Sequence, residues 1–223
     1  MFGQEKRVVL ASLARPTLLE TEYHDLVVNA LADRRAMLDT ALAKFAARAG
    51  AVAEAAARLV ETLQTGHKVL IAGNGGSAAE AQHFAAELVG RFKRERAPYA
   101  VLALTTDTSI LTAVANDYGY HDVFARQVRA FGQPDDLLIT FSTSGESENL
   151  VRAAQAGREH MLTVVSIAGD RPNRLERLSD VSIRVPALDT DIVQELHLTV
   201  LHMLCDIVEQ KLAAADWKED AGQ

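Results

Sequence analysis

A single cysteine, Cys205, leaves no possible disulfide framework within this chain, and a reducing compartment such as the cytoplasm fits it. Cys205 lies inside an apolar helical run and reads as a small core hydrophobe. No apolar run approaches the ~20 residues needed to cross a bilayer, so a soluble protein is expected. Lys6-Arg7 and the apolar stretch 8–14 have only the faint outline of a secretory signal, which Arg15-Pro16 closes, and residues 1–20 read as a tail. Basic residues number 23 against 30 acidic ones, giving a formal net charge of −7. That balance argues against a dominant electrostatic grip on nucleic acid, and an anionic ligand has to be held by local devices. The chain also lacks a G-x-S-x-G elbow, a Cys–His arrangement and a Cys-x-x-Cys pair, which removes the common hydrolase and redox sites.

What is present is an ordinary globular composition, 48% hydrophobic and 24% charged over 223 residues, enough for one sizeable domain. Residues 21–65 are rich in Ala, Leu, Glu and Arg at helical spacing, with Gly50 as a break; they read as two helices forming an N-terminal arm. From 66 to 213 short apolar runs alternate with amphipathic stretches of helical length. The runs at 69–72, 100–104, 137–141, 163–167 and 181–185 read as five strands. The fold class is therefore α/β, a three-layer α/β/α sandwich around a five-stranded parallel sheet. Residues 191–212 read as a long helix, apolar nearly all round and so buried, and 214–223 as a C-terminal tail.

Two loops stand at the carboxyl ends of strands, where open α/β sheets bind ligands. The first strand runs into Gly73-Asn74-Gly75-Gly76-Ser77, with a helix expected from Ala78 and Ser77 as its N-cap. Such a loop lets a ligand reach backbone N–H groups where the helix dipole favours negative charge. Gly73, Gly75 and Ala78 also fit the loose dinucleotide spacing, but the acidic residue that pattern requires about 20 positions on is missing. No Lys-Ser/Thr pair follows, which excludes a Walker A loop. The third strand opens into Ser142-Thr143-Ser144-Gly145-Glu146-Ser147, four hydroxyls around one glycine at a helix start. Read blandly this is a capped turn; read with the first loop it is a phosphate cradle of neutral donors. Glu146 would repel a phosphate, so its side chain is expected to point outward.

His83 and Glu87 are i, i+4 and share a helix face. That pair serves equally as a metal half-site, a proton-transfer pair or an ordinary ion pair, and its closeness to the glycine loop favours the first two. The last helix sets Gln194, Glu195, His197 and His202 among apolar neighbours, where buried polar groups need partners. At 100° per residue Glu195 is offset from His202 by only about 20° and Gln194 by about 80°, so spacing alone pairs Glu195 with His202.

Taken together, the glycine loop, Ala81-Gln82-His83-Phe84-Ala85-Ala86-Glu87-Leu88, Ala115-Asn116-Asp117-Tyr118-Gly119, the 142–147 loop and Gln194-Glu195-Leu196-His197 resemble the phosphoheptose (sedoheptulose 7-phosphate) isomerases of the sugar-isomerase (SIS) domain group. The resemblance runs over about 38–212. It implies a cytoplasmic homotetramer with active sites near subunit interfaces, often holding Zn2+. The implied reaction turns the ketose sedoheptulose 7-phosphate into D-glycero-D-manno-heptose 7-phosphate through an enediolate, the first step of nucleotide-activated heptose biosynthesis. Carried over residue by residue, Asn74, Gly75, Gly76, Asn116 and Asp117 would contact the sugar. Ser142, Thr143, Ser144 and Ser147 would hold the phosphate. His83, Glu87, Gln194 and His202 would form the zinc cluster, with Glu87 and His202 catalytic, and here the resemblance prefers Gln194 to Glu195.

Two other readings remain open on the sequence. Gln82-His83-Phe84-Ala85-Ala86 and Leu204-Cys205-Asp206 also resemble a non-catalytic SIS scaffold that associates with the bacterial replication initiator, although a pure scaffold has no chemical reason to keep Glu87 and His202. An isomerase for another phosphosugar would share the phosphate loop.

Overall fold

The computed structural model describes residues 18–220, with side chains from 20 to 213, so most of the expected N-terminal tail lies outside the described residues. The chain divides into two compact units, the first ending at Asp39 and the second beginning at Thr40. Helix α1 (Leu18–Ala46) opens the described chain. In the first unit it carries Tyr23, Leu26, Val27 and Leu31 exposed and an i, i+4 ion pair, Arg35 to Asp39, at 3.5 Å. Its last turns belong to the second unit, where Ala41 and Phe45 are buried.

The second unit holds α2 (Ala49–Gln64), β1 (Val69–Gly73), α3 (Gly76–Val89), β2 (Val101–Ala103), α4 (Thr108–Tyr118), α5 (Val123–Phe131), β3 (Leu137–Ser142), α6 (Glu148–Glu159), β4 (Thr163–Ala168), β5 (Val181–Arg184) and α7 (Thr190–Asp220). The strands form one parallel sheet in the order β2-β1-β3-β4-β5. The expected three-layer sandwich is present. Leu70, Ala72 and Leu138 join residues of α5 and α6 in a core on one face. On the other face α2, α3 and α7 pack together and against the sheet, with Phe141 of β3 meeting Phe84 of α3, ring centroids 6.2 Å apart. Strands covered on both faces read as unbroken apolar runs, which is why β1, β3 and β4 were legible within a residue or so.

Asp136 sets the amino ends of the sheet. Its carboxylate is buried and accepts from Lys68 N at 2.9 Å, Lys68 Nζ at 2.6 Å and Gln133 N at 2.8 Å, so β1 and β3 start level. Register then follows, Val69 opposite Leu137 through Gly73 opposite Phe141.

Three expectations are corrected. The helix break falls at Ala47 and Arg48, and Gly50 lies inside α2. The reason is tertiary: Arg48 Nη1 donates to Asp170 Oδ1 at 2.6 Å and to Arg184 O at 3.0 Å, fixing the corner beyond β4 and β5. The arm of 21–65 does not stay together either, since α2 packs on α7 and β5 and belongs with the sheet. Finally, α7 continues to Asp220, so residues 214–220, read as tail, are helical. Among the described residues no helix is long and apolar enough to cross a membrane. Cys205 is fully buried, and burial pushes its thiol well above the ordinary range.

Candidate active site

The strand order reverses at β1, whose neighbours are β2 on one side and β3 on the other. Chain connections diverge there, which leaves a crevice outside the carboxyl ends of β1 and β3. Both candidate loops open into it. The first turns into α3 earlier than the sequence implied. Gly75, at φ +56°, is the N-cap and α3 begins at Gly76, while Ser77 is buried one residue inside the helix and makes no capping bond with its side chain. A side chain at position 75 would strain that left-handed turn, so glycine there, and not the serine hydroxyl, sets the helix start. Gly76 serves a different purpose: a Cβ on it would overlap the amide of Gln194, which packs against the loop from α7.

In the second loop Ser142 Oγ accepts from Gly145 N at 3.0 Å and Ser144 Oγ from Glu146 N at 3.2 Å. The hydroxyls are thus oriented by the loop's own backbone and keep their O–H donors. Ser147 is the N-cap of α6. Glu146 is exposed, its Oε1 accepts from Arg174 N at 2.9 Å, and it lines the same cavity as Thr143 and Ser144. Thr143 and Ser144 line a cavity of about 230 Å³ with Asp170, Arg171 and Thr190. Asp170 is committed elsewhere: Arg48 and Arg184 hold its carboxyl below the usual range.

Helices α3 and α7 bring His83, Glu87 and His202 together. His83 Nε2 lies 3.0 Å from Glu87 Oε1, the His83 and His202 rings meet edge-on at 5.1 Å, and one donor atom from each residue falls within 4.8 Å of the others. Two imidazoles and a carboxylate so placed match the donor set of a metal centre that keeps a position open. Gln194 stands at Gly76. Glu195, the residue that spacing paired with His202, is not among the three; helix α7 alone cannot say which of its faces meets α3. Burial, His83 and Lys93 push the His202 pKa down against the opposing pull of Glu87, a shift that favours the neutral imidazole.

Sequence reasoning missed several supports. Glu80 of α3 and His197 of α7 meet at 3.1 Å between Oε2 and Nδ1, both buried. His197 was recognised as needing a partner, and Glu80, three residues before His83 on the same helix, was the signal for it. Asn116 and Asp117 are exposed at the end of α4 and bonded to each other at 2.8 Å. Tyr120, just beyond, donates its OH to Asn74 Oδ1 at 3.1 Å, a link no local pattern announces.

This chain is similar in sequence and fold to known proteins. The sequence profile of the SIS domain matches residues 34–169. The phosphoheptose isomerase of Helicobacter pylori (strain P12) is 50% identical over 155 residues, 70% of this chain and 81% of that protein. The phosphoheptose isomerase of Rhodospirillum rubrum is 48% identical over 166 residues, 74% of this chain and 88% of the relative. A solved phosphoheptose isomerase from Francisella tularensis superposes with a TM-score of 0.79 at 36% identity, covering 83% of this chain and 99% of that one.

Proposed function

The chain belongs to the phosphoheptose isomerases of the SIS domain family, and from that premise we propose how its residues interconvert a ketose and an aldose phosphate. It is an aldose–ketose isomerase acting on sedoheptulose 7-phosphate, with D-glycero-D-manno-heptose 7-phosphate as product, which enters nucleotide-activated heptose synthesis. The observation that carries the mechanism is the convergence of Glu87 and His202, which come from different helices, α3 and α7.

Ser142, Thr143, Ser144 and Ser147 take the phosphate at the start of α6, where oriented hydroxyls and the helix N-terminus supply donors without a formal positive charge. Asn74, Gly75, Gly76, Asn116, Asp117 and Gln194 contact the sugar. Glu87 removes the proton from the carbon next to the ketose carbonyl, and the electron pair left behind forms the enediolate. His202 carries the hydroxyl proton from one oxygen to the other. Glu87 then returns its proton to the former carbonyl carbon, and the aldose results. Zn2+ fits the donor set of His83, Glu87 and His202, with Gln194 as a further ligand; bound there, it would supply Lewis-acid polarisation of the carbonyl.

The enzyme works in the cytoplasm as a homotetramer. The exposed apolar residues Tyr23, Leu26, Val27 and Leu31 of α1 support assembly, as does the apolar groove formed by Ala53, Ala56, Ala57, Val60 and Ile207 on α2 and α7.

Incubation with ketose phosphates of five to seven carbons, with and without zinc, tests the reading, with conversion of the seven-carbon substrate expected to be fastest. No conversion under either condition would favour the scaffold. Glu87→Gln should abolish turnover while phosphosugar binding stays measurable; undiminished activity removes Glu87 from the mechanism.

A further inference from the structure

Asn74 is gripped from two directions. Its Oδ1 accepts from Asn149 Nδ2 at 2.8 Å and from Tyr120 OH at 3.1 Å, while its Nδ2 donates to Asn149 Oδ1 at 2.9 Å. The two asparagines therefore form a closed amide pair, and the carbonyl oxygen of Asn74 has both lone pairs filled. Among the described residues, what remains unbonded on the Asn74 side chain is one N–H.

A free asparagine amide turns about a broad, roughly two-fold torsion and offers a ligand either its oxygen or its nitrogen. Here the turn is blocked. Rotating Asn74 by half a revolution would set oxygen against oxygen and nitrogen against nitrogen, and Tyr120 would lose its acceptor. Asn149 cannot follow cheaply, because it is only 4% exposed and lies in the first turn of α6, where a buried amide has to keep its partners. The pair also spans the crevice, joining the loop after β1 to the helix that begins at the serine loop.

We infer that Asn149, seconded by Tyr120, is a positioning residue that locks the amide of Asn74 so that a donor, and not an acceptor, faces the bound phosphosugar. The inference rests on the reading of Asn74 as a sugar contact. The N–H so presented meets an acceptor oxygen of the ligand, and the sugar-contacting and phosphate-binding loops are held at a constant separation by the same two bonds. Asn149 itself touches no substrate.

A double-mutant cycle tests this, using the full-length protein and sedoheptulose 7-phosphate. Asn149→Leu should lower kcat/KM about tenfold in the wild-type background and by less than about twofold when Asn74→Ala is already present, because the locked group is then gone. A purely structural role predicts the same fractional loss in both backgrounds, and that result would overturn the proposal. Full activity of Asn149→Leu beside an impaired Asn74→Ala also overturns it, yet leaves Asn74 as a sugar contact. Full activity of Asn74→Ala overturns that contact and the proposal with it. If Asn149→Leu does not fold, Tyr120→Phe, at an exposed position, gives the same readout. Its loss of about threefold should vanish in the Asn74→Ala background, and an unchanged or equal loss counts against the lock.

Discussion

Phe92 lies flat against the imidazole of His202, ring centroids 5.4 Å apart and planes 11° from parallel. The contact fixes the plane of the imidazole, and with it the direction of the nitrogen proposed to carry the hydroxyl proton. Lys93 Nζ sits 4.8 Å from the centre of the same phenyl ring. Phe92→Leu keeps an apolar side chain but not a flat one. It is expected to lower kcat about tenfold with a smaller change in KM, while Phe92→Tyr stays close to wild type. Steady-state kinetics on the three proteins check this.

Glu209 holds Phe92 in place. Its fully buried carboxylate accepts from the backbone N–H of Phe92, Lys93 and Arg94 at 2.8, 2.8 and 2.9 Å, and Arg96 Nε lies 3.3 Å away. Burial alone would raise its pKa, but the three N–H donors and Arg96 outweigh it and hold the carboxyl below the usual range. A group lowered on folding stabilises the native state above its unfolded pKa of about 4.3 and loses that contribution as pH falls through the folded value. Glu209→Leu should cost about 3 kcal/mol at neutral pH, read as a Tm lower by roughly 6–12 °C. The wild type should converge toward the variant in acid, so a difference in Tm that persists unchanged below pH 4 contradicts this account.

The buried Glu80–His197 pair joins the two helices that carry the metal-ligand candidates. Removing one member leaves the other buried without its partner. Glu80→Leu is expected to destabilise the fold by about 3 kcal/mol and to weaken zinc binding, whereas Glu80→Gln, which keeps an acceptor, loses less. Thermal unfolding and metal titration of both variants give the comparison. Equal zinc affinity in all three proteins would separate this pair from the site.

Gly76→Ala places a methyl group where the Gln194 amide now lies. The side chain of Gln194 is flexible at its far end and can move, so stability should change by less than about 1 kcal/mol. Activity should not be spared, and kcat/KM is expected to fall about a hundredfold. A variant as active as the wild type would take Gln194 out of the site.

The parts of this design that were legible in the sequence are those whose cause is local. Apolar runs bounded by Gly and polar residues exposed the strands of the doubly covered sheet, and the clustered glycines and serines marked the crevice. Contacts made across the sequence were not legible. Arg48 breaks a helix because Asp170, just past β4, and Arg184, the last residue of β5, bind its guanidinium, and nothing near Gly50 reveals that. Glycine at 75 starts α3 where serine at 77 was the conventional choice. The preference for Gln194 came from family resemblance alone, because helical spacing on α7 gives angles but not the side facing α3. Phe92 and Asn149 matter through residues more than seventy positions away, and a single sequence holds no record of such pairs.

Helices α3 and α7 cover one face of the sheet while α6 covers the other, with the crevice at the rim between them. On the proposed reading, a molecule whose phosphate rests at the start of α6 and whose carbonyl meets the carboxylate of Glu87 would have to span the distance between them. That distance would act as a ruler, and a sugar would be judged first by how many carbons separate its two ends.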